Sequence, residues 1–364
     1  MQRLFPIPLF TFLKTAIKNG GFSFKGLKNT PQWFLKVVLL EPLRWVELLR
    51  YNKRIQQHKL EKDPIFILGF YRSGTSFMHQ FLTQDDRLGY HTNFQMIFPE
   101  IMLTCEKALS PFLEWLCRVF NIRDEVHRIQ LSFRYPGEED ATMTTATNPR
   151  GSQWGYFFPR MMMSQFRKYV LFQNVPDSEV AGWQNDYHFL IKKISLANRG
   201  KQLILKSPPN TARVKILLSM FPNARFIMVH RNPYDVYVSN QRFWEVTNKI
   251  YAVGSTQSVD NNQIILDTYA ETMQQYLEEK DLIPKGQLIE IPYQNLMENP
   301  LKKMREIYET LGLEDFNVVA DKMESYLDGQ KSYKRLTHQL PENEERTVTE
   351  KFAPFIRHWG YELP

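Results

Sequence analysis

Cysteine is scarce: Cys105 and Cys117 are the only two in 364 residues. Both fall in an apolar, helix-period segment. That excludes a disulfide framework and the paired spacing of a zinc site, and it fits buried thiols in a reducing, cytoplasmic setting. Long apolar runs are also missing. The best stretch, Trp33 to Leu49, is broken by Lys36, Glu41, Pro42 and Arg44, short of the roughly 18 uninterrupted apolar residues a spanning helix needs. The apolar N-terminus carries Pro6 and Pro8 and no clear small-residue cleavage site, so it does not read as a signal peptide. Neither an internal repeat nor a low-complexity tract occurs.

Basic excess is absent from most of the chain. Residues 1–62 hold twelve Lys/Arg against three acids, a balance of +9, and the remainder holds 34 against 36. A nucleic-acid-binding body is thereby disfavoured, because a basic face has to recur along the folded domain. The arm interleaves Phe10, Phe12, Phe24, Phe34 and Trp45 with its cations. Such a mixture suits peripheral contact with an anionic membrane surface, and equally a basic helical arm packed on the domain.

What is present is a globular composition, 43% hydrophobic, in a chain long enough for one large α/β domain or two small ones. Residues 31–58 read as one or two amphipathic helices with Pro42 as the break, and residues 96–120 as a helix pair around Pro111. Residues 124–175 read as irregular, with Trp154, Tyr156, Phe157, Phe158 and Met161 to Met163 as either a pocket wall or plain core. Strands are expected at Pro64–Leu68, Gln202–Lys206, Arg225–His230 and Gln287–Ile291, separated by helices. This is the pattern of a doubly wound parallel sheet with helices on both faces. The expected organisation is a helical arm over 1–62 and one α/β domain over 63–364, with a helical insertion at about 96–200.

The most informative stretch is Gly69-Phe70-Tyr71-Arg72-Ser73-Gly74-Thr75-Ser76, between an apolar strand and a helix. Unpaired N–H groups at a helix start, aided by the helix dipole and by a glycine that lets the backbone come close, make a site for an anion such as phosphate. The spacing fits the nucleotide-triphosphate loop at Gly69, Gly74 and Ser76, but Thr75 stands where its lysine belongs. The loop thus reads as phosphate-binding without being a standard NTPase loop. Arg72, Lys206 and Arg231 all fall at strand C-termini, the rim where open α/β sheets bind ligands.

Four stretches together, Tyr71 to Ser76, Leu205-Lys206-Ser207-Pro208-Pro209, Phe221 to Phe226 and Arg231-Asn232-Pro233 with Ser239 following, resemble the PAPS-dependent sulfotransferases. PAPS is 3′-phosphoadenosine 5′-phosphosulfate. The closest likeness is to the bacterial family with an R-S-G-T loop, a loop shared with tyrosylprotein sulfotransferases, and it covers roughly residues 63–312. The resemblance implies that Arg72, Ser73, Gly74, Thr75, Ser76 and Phe77 cradle the 5′-phosphosulfate. It implies that Arg231 and Ser239 hold the 3′-phosphate and that Tyr293 lies near the adenine. Lys331, Lys334 and Arg335 resemble the late loop that closes on the donor, and they equally fit a solvated loop.

Sulfuryl transfer needs charge stabilisation on the moving group and removal of the acceptor proton. Arg72 and Lys206 suit the first, without a metal. For the second, Glu138 and Glu139 before Asp140 resemble an acidic turn of the bacterial family, and His79 is the alternative. His91, Glu100, Glu106 and His188 stay in reserve. Asn210 stands where many relatives have histidine, and His91-Thr92-Asn93-Phe94-Gln95 offers an amide where the tyrosylprotein enzymes have glutamate, which weakens a protein-tyrosine acceptor. The expected acceptor is a small hydrophobic alcohol, sterol, steroid or lipid, with a carbohydrate or phenol as the alternative. Two rival classes remain, a P-loop kinase or NTPase and a non-catalytic membrane-attached nucleotide-binding protein.

Overall fold

The computed structural model describes residues 8–125, 129–146, 148–329 and 340–362. The chain divides into two compact units, one of Met1–Leu60, His91–Gly200 and Phe243–Asn261, the other of Glu61–Tyr90, Lys201–Arg242 and Asn262–Pro364. Lys331, Lys334 and Arg335 lie outside the described residues.

The second unit is built on a five-stranded parallel sheet. Its strands are β1 (Ile65–Leu68), β2 (Leu88–Tyr90), β5 (Gln202–Lys206), β6 (Arg225–His230) and β7 (Leu288–Pro292), with β3 (Arg123–Asp124) and β4 (Ile129–Gln130) forming a separate hairpin in the first unit. The order across the sheet is β2-β5-β1-β6-β7. All four residues of β1 are buried, as expected of a central strand covered on both faces. Ile67 is level with Lys206 and Ile227, and His230 with Pro292, so the strands end along one rim. The chain leaves β1 toward β2 on one side and leaves β6 toward β7 on the other. The β1/β6 boundary is therefore the switch point at which open α/β sheets hold ligands.

The helix Thr75–Leu82 follows β1 and buries Met78, Phe81 and Leu82 in a cluster with Ile65, Ile227 and Ile291. That spacing puts one face of the helix on the sheet. The helix Tyr293–Glu298 follows β7 and anchors itself there through Leu296.

The first unit is helical, and here the sequence expectations need correction. Pro42 does not break its helix, which runs unbroken over Thr30–Gln57, and Pro111 lies inside the helix Glu106–Val119. Both prolines are exposed, where the carbonyl left without its N–H four residues earlier can be hydrated. The stretch read as irregular contains the helices Glu139–Thr145, Trp154–Phe157 and Met162–Tyr169. Trp154, Tyr156, Phe157 and Phe158 are buried, with Trp154 5.4 Å from Phe157 and Tyr156 5.3 Å from Trp244 between ring centres, so they build this unit's core. The short edge strand β2 has no sequence signal of its own. Cys117 is buried and Cys105 half-exposed.

Candidate active site at the sheet rim

Two glycines shape the loop after β1. Gly69 has φ 138°, and a Cβ there would strike the carbonyl of Val229 on the neighbouring strand. Its N–H donates to Thr211 Oγ1 at 2.8 Å. Gly74 caps the helix at φ 101°, and a Cβ there would meet the ring of Tyr293. Between them Arg72 holds φ 69°, a left-handed conformation that costs a non-glycine residue on the order of 1 kcal/mol. Ser73 closes the turn, its N–H and Oγ–H both donating to the Phe70 carbonyl, at 3.2 and 2.8 Å.

The N–H groups of Thr75, Ser76 and Phe77 open the helix, where no carbonyl of the helix itself can accept them. Phe77 contributes backbone only, since its ring packs on Phe81 and Tyr326 at 5.6 and 6.4 Å. Cations surround this N-terminus. Lys206, at the end of β5 and 4% exposed, directs Nζ to Ser76 Oγ at 3.5 Å. Arg72 Nε donates to Ser239 Oγ at 3.1 Å, so two residues assigned to opposite ends of one ligand meet directly.

Arg231, one residue beyond β6, donates to Asp235 through Nε at 3.2 Å and Nη2 at 3.1 Å, and its Nη1 lies 3.5 Å from the Arg72 carbonyl. Its guanidinium lies 5.1 Å from the ring centre of Tyr293, the same ring that lies against Gly74. Arg72, Ser73, Gly74, Thr75, Ser76, Lys206, Arg231, Ser239 and Tyr293 are thus gathered in one place. The arrangement can bind an anion at a helix N-terminus and a second anion near Arg231 and Ser239.

Sequence reasoning missed the supports. Asn240 Nδ2 ties down the Tyr71 carbonyl at 3.0 Å, Thr211 receives the Gly69 N–H, and Asp235 orients Arg231. Only Asp235 left a signal, four residues after Arg231 in the first turn of a helix. Asn210 is fully buried and accepts from Arg213 Nη1 at 3.2 Å. His79 is fully buried in the loop helix.

The acidic turn belongs to the first unit. Glu138 is half-exposed and caps the helix Glu139–Thr145, its carbonyl accepting the Thr142 N–H at 3.2 Å. Glu139 is fully buried, and burial, opposed by a hydrogen bond from Tyr187 Oη at 3.0 Å, pushes its carboxyl up to about 7. The reserve residues divide. Glu106 accepts from Thr92 Oγ1 at 2.6 Å and Gln95 Nε2 at 2.7 Å, and Glu100 pairs with Lys36 at 3.3 Å, so both have structural partners. Burial holds His91 down to about 3, a neutral ring 3.3 Å from Thr142 Oγ1, and burial lowers His188 as well.

A profile described as "Sulfotransferase family" matches residues 64–317. The omega-hydroxy-beta-dihydromenaquinone-9 sulfotransferases Stf3 of Mycobacterium bovis and Mycobacterium tuberculosis are each 26% identical over 318 residues, covering 87% of this chain and 80% of theirs. Among solved structures, sulfotransferase STF9 from Mycobacterium avium superposes with a TM-score of 0.70 at 17% identity, over 88% of this chain and 82% of its own. Sulfotransferase STF1 from Mycobacterium tuberculosis H37Rv gives 0.67 at 17% identity, over 95% and 91%. These structural likenesses establish a shared fold.

Proposed function

This chain belongs to the sulfotransferase family, and on that premise we propose that it moves a sulfuryl group from PAPS to the hydroxyl of a lipid-like alcohol. The acceptor oxygen forms a bond to sulfur, the bond from sulfur to the 5′-phosphate oxygen breaks, and the acceptor proton passes to a carboxylate. The products are a sulfate ester and adenosine 3′,5′-bisphosphate. Arg72, Lys206 and the N–H groups of residues 74–77 bind the 5′-phosphosulfate and neutralise the charge on the leaving phosphate oxygen. Arg231 and Ser239 take the 3′-phosphate, with the ring of Tyr293 beneath the guanidinium. The acidic turn supplies the carboxylate: burial pushes Glu139 up to about 7, the range of a general base, and Glu138, half-exposed and with no capping bond from its side chain, is the alternative.

The observation that carries this reading is the gathering of Arg72, Lys206, Arg231 and Ser239 around one helix N-terminus. The lipid character of the acceptor is supported by the Stf3 relatives, whose name gives a hydroxylated menaquinone derivative. The test is a thermal-shift series with adenosine 3′,5′-bisphosphate, ADP and Mg-ATP, followed by sulfur transfer from labelled PAPS to polyprenol, sterol, sugar and phenol acceptors. Stabilisation by the bisphosphate above the other two, and label on a lipid alcohol, is the expected result. A larger shift with Mg-ATP overturns the donor assignment, and label on sugar or phenol alone overturns the acceptor class.

A further inference from the structure

Within the first unit, the helix Thr30–Gln57 is apolar on two opposite sides. One side buries Val37 and Ile55. The other side exposes Phe34, Leu35, Val38, Leu39, Val46 and Leu49, with Leu39 61% and Leu49 85% exposed. At about 100° per residue these six fall within one half of the circumference, along about 24 Å of helix. The charged residues of this stretch are turned to the other half, where Lys36 pairs with Glu100 at 3.3 Å and Arg44 with Glu41 at 2.6 Å. After Leu49 the exposed face changes character, continuing through the exposed Arg50 and Lys53.

A second exposed stripe lies on the helix Glu106–Val119. Phe112, Trp115 and Val119 are 54, 55 and 56% exposed, the two rings stacked at 5.9 Å, with exposed Lys107 and Arg118 beside them. Both helices are rooted in the same small core, Leu40 of the first and Leu113 and Cys117 of the second packing with Phe94, Ile101 and Phe133. Apolar residues ordinarily face the core, and exposed apolar surface on this scale marks an interaction site.

We propose that these two stripes seat the protein in the headgroup layer of an anionic membrane, with the helix Thr30–Gln57 lying along the surface. Charge complementarity selects this occupant. The first 62 residues carry a balance of +9, and Lys14, Lys18, Lys25, Arg50 and Lys53 are exposed in the same unit. A second copy of the chain is the poorer fit, because a two-fold contact through this face sets one +9 arm against another. Trp45 and Trp115, both partly exposed, are the amphipathic rings that interfaces favour. Among the described residues no helix is long and apolar enough to cross a membrane, so the contact lies in the interface. This deepens the reading of a lipid alcohol as acceptor, since such a molecule is dissolved in the bilayer the protein reaches.

The experiment is flotation of the full chain with phosphatidylcholine vesicles, with and without phosphatidylglycerol, comparing wild type, L39E/V46E and R50E/K53E. Both variants change exposed residues and are checked by circular dichroism. The wild type should float best with the anionic vesicles, and about 0.5 M salt should cut that excess back to the level seen with phosphatidylcholine alone as the charges are screened. L39E/V46E should lose about tenfold or more of the bound fraction, and R50E/K53E should lose only the preference for anionic lipid. Wild type that stays at the bottom with both vesicle types overturns the proposal. So does a wild-type dimer in sedimentation velocity that L39E/V46E turns into a non-floating monomer, which assigns the face to self-association. Flotation reads nothing of sulfuryl transfer, so the reaction assignment can fail while this surface stands, and the reverse.

Discussion

The sheet rim and the acidic turn are organised by opposite means. At the rim, cations are aimed: Arg72, Lys206 and Arg231 stand near the ends of parallel strands, Arg72 and Lys206 directed to the hydroxyls of Ser239 and Ser76 and Arg231 to the Asp235 carboxylate. In the acidic turn a charge is suppressed: Glu139 lies out of water, and a hydrogen bond from Tyr187 offsets only part of that cost. A group that must hold an anion works by being charged and placed. A group that must take a proton works by having its affinity for that proton raised.

If Glu139 is the base, Glu139→Gln is the most damaging single change, lowering kcat about 10²–10⁴-fold. The activity of the wild type should rise with pH through about 7 as the carboxyl deprotonates, and that limb should vanish in the variant. Glu138→Gln should leave the limb in place; the opposite pattern moves the base to Glu138. Next in size, if Lys206 neutralises the leaving oxygen as proposed, Lys206→Ala should lower the chemical step about 10²–10³-fold. Its thermal shift with the bisphosphate, which keeps the 5′-phosphate but lacks the sulfuryl group, should fall far less than the rate does, which separates transition-state stabilisation from binding.

Arg231→Ala should act mainly on binding, raising KM for PAPS about 10- to 100-fold, the scale of one lost charge-assisted hydrogen bond or two. An equal loss in kcat with unchanged KM contradicts its assignment to the 3′-phosphate. The smallest effect is on stability. The folded carboxyl of Glu139 titrates near 7, above the ordinary 4.5. Its contribution is therefore fully present below about 4.5 and is lost as pH rises through about 7. Glu139→Gln should accordingly raise Tm by a few degrees at pH 8 and hardly at all at pH 4. A Tm difference independent of pH removes the buried-carboxylate account.

The rim was largely legible because its signals are local. An apolar run, a glycine pair and a helix start lie within residues 64–82, and a buried parallel strand reads as an unbroken apolar segment. The strands Gln202–Lys206 and Arg225–His230 are found within the limits expected from sequence. The helical unit was less legible. Pro42 and Pro111 signal breaks, yet each helix continues because its other face is anchored in a core that the proline does not touch. The aromatics from Trp154 to Phe158 fitted a pocket wall and a core alike, and only their packing against one another and Trp244 separates the two.

By itself the sequence determined the parallel α/β architecture, the phosphate-binding loop without its lysine, and the concentration of basic charge in residues 1–62. These follow from residue order over short distances, where chain geometry leaves few alternatives. Tertiary structure decided the pairing of Arg72 with Ser239 and of Lys206 with Ser76, the support from Thr211 and Asn240, and the burial of Glu139 beside Tyr187. It also decided which side of the helix Thr30–Gln57 stays outside. Each of these depends on residues far apart in the chain, and the folded chain brings them within a few ångströms, where hydrogen bonds form and desolvation shifts a proton.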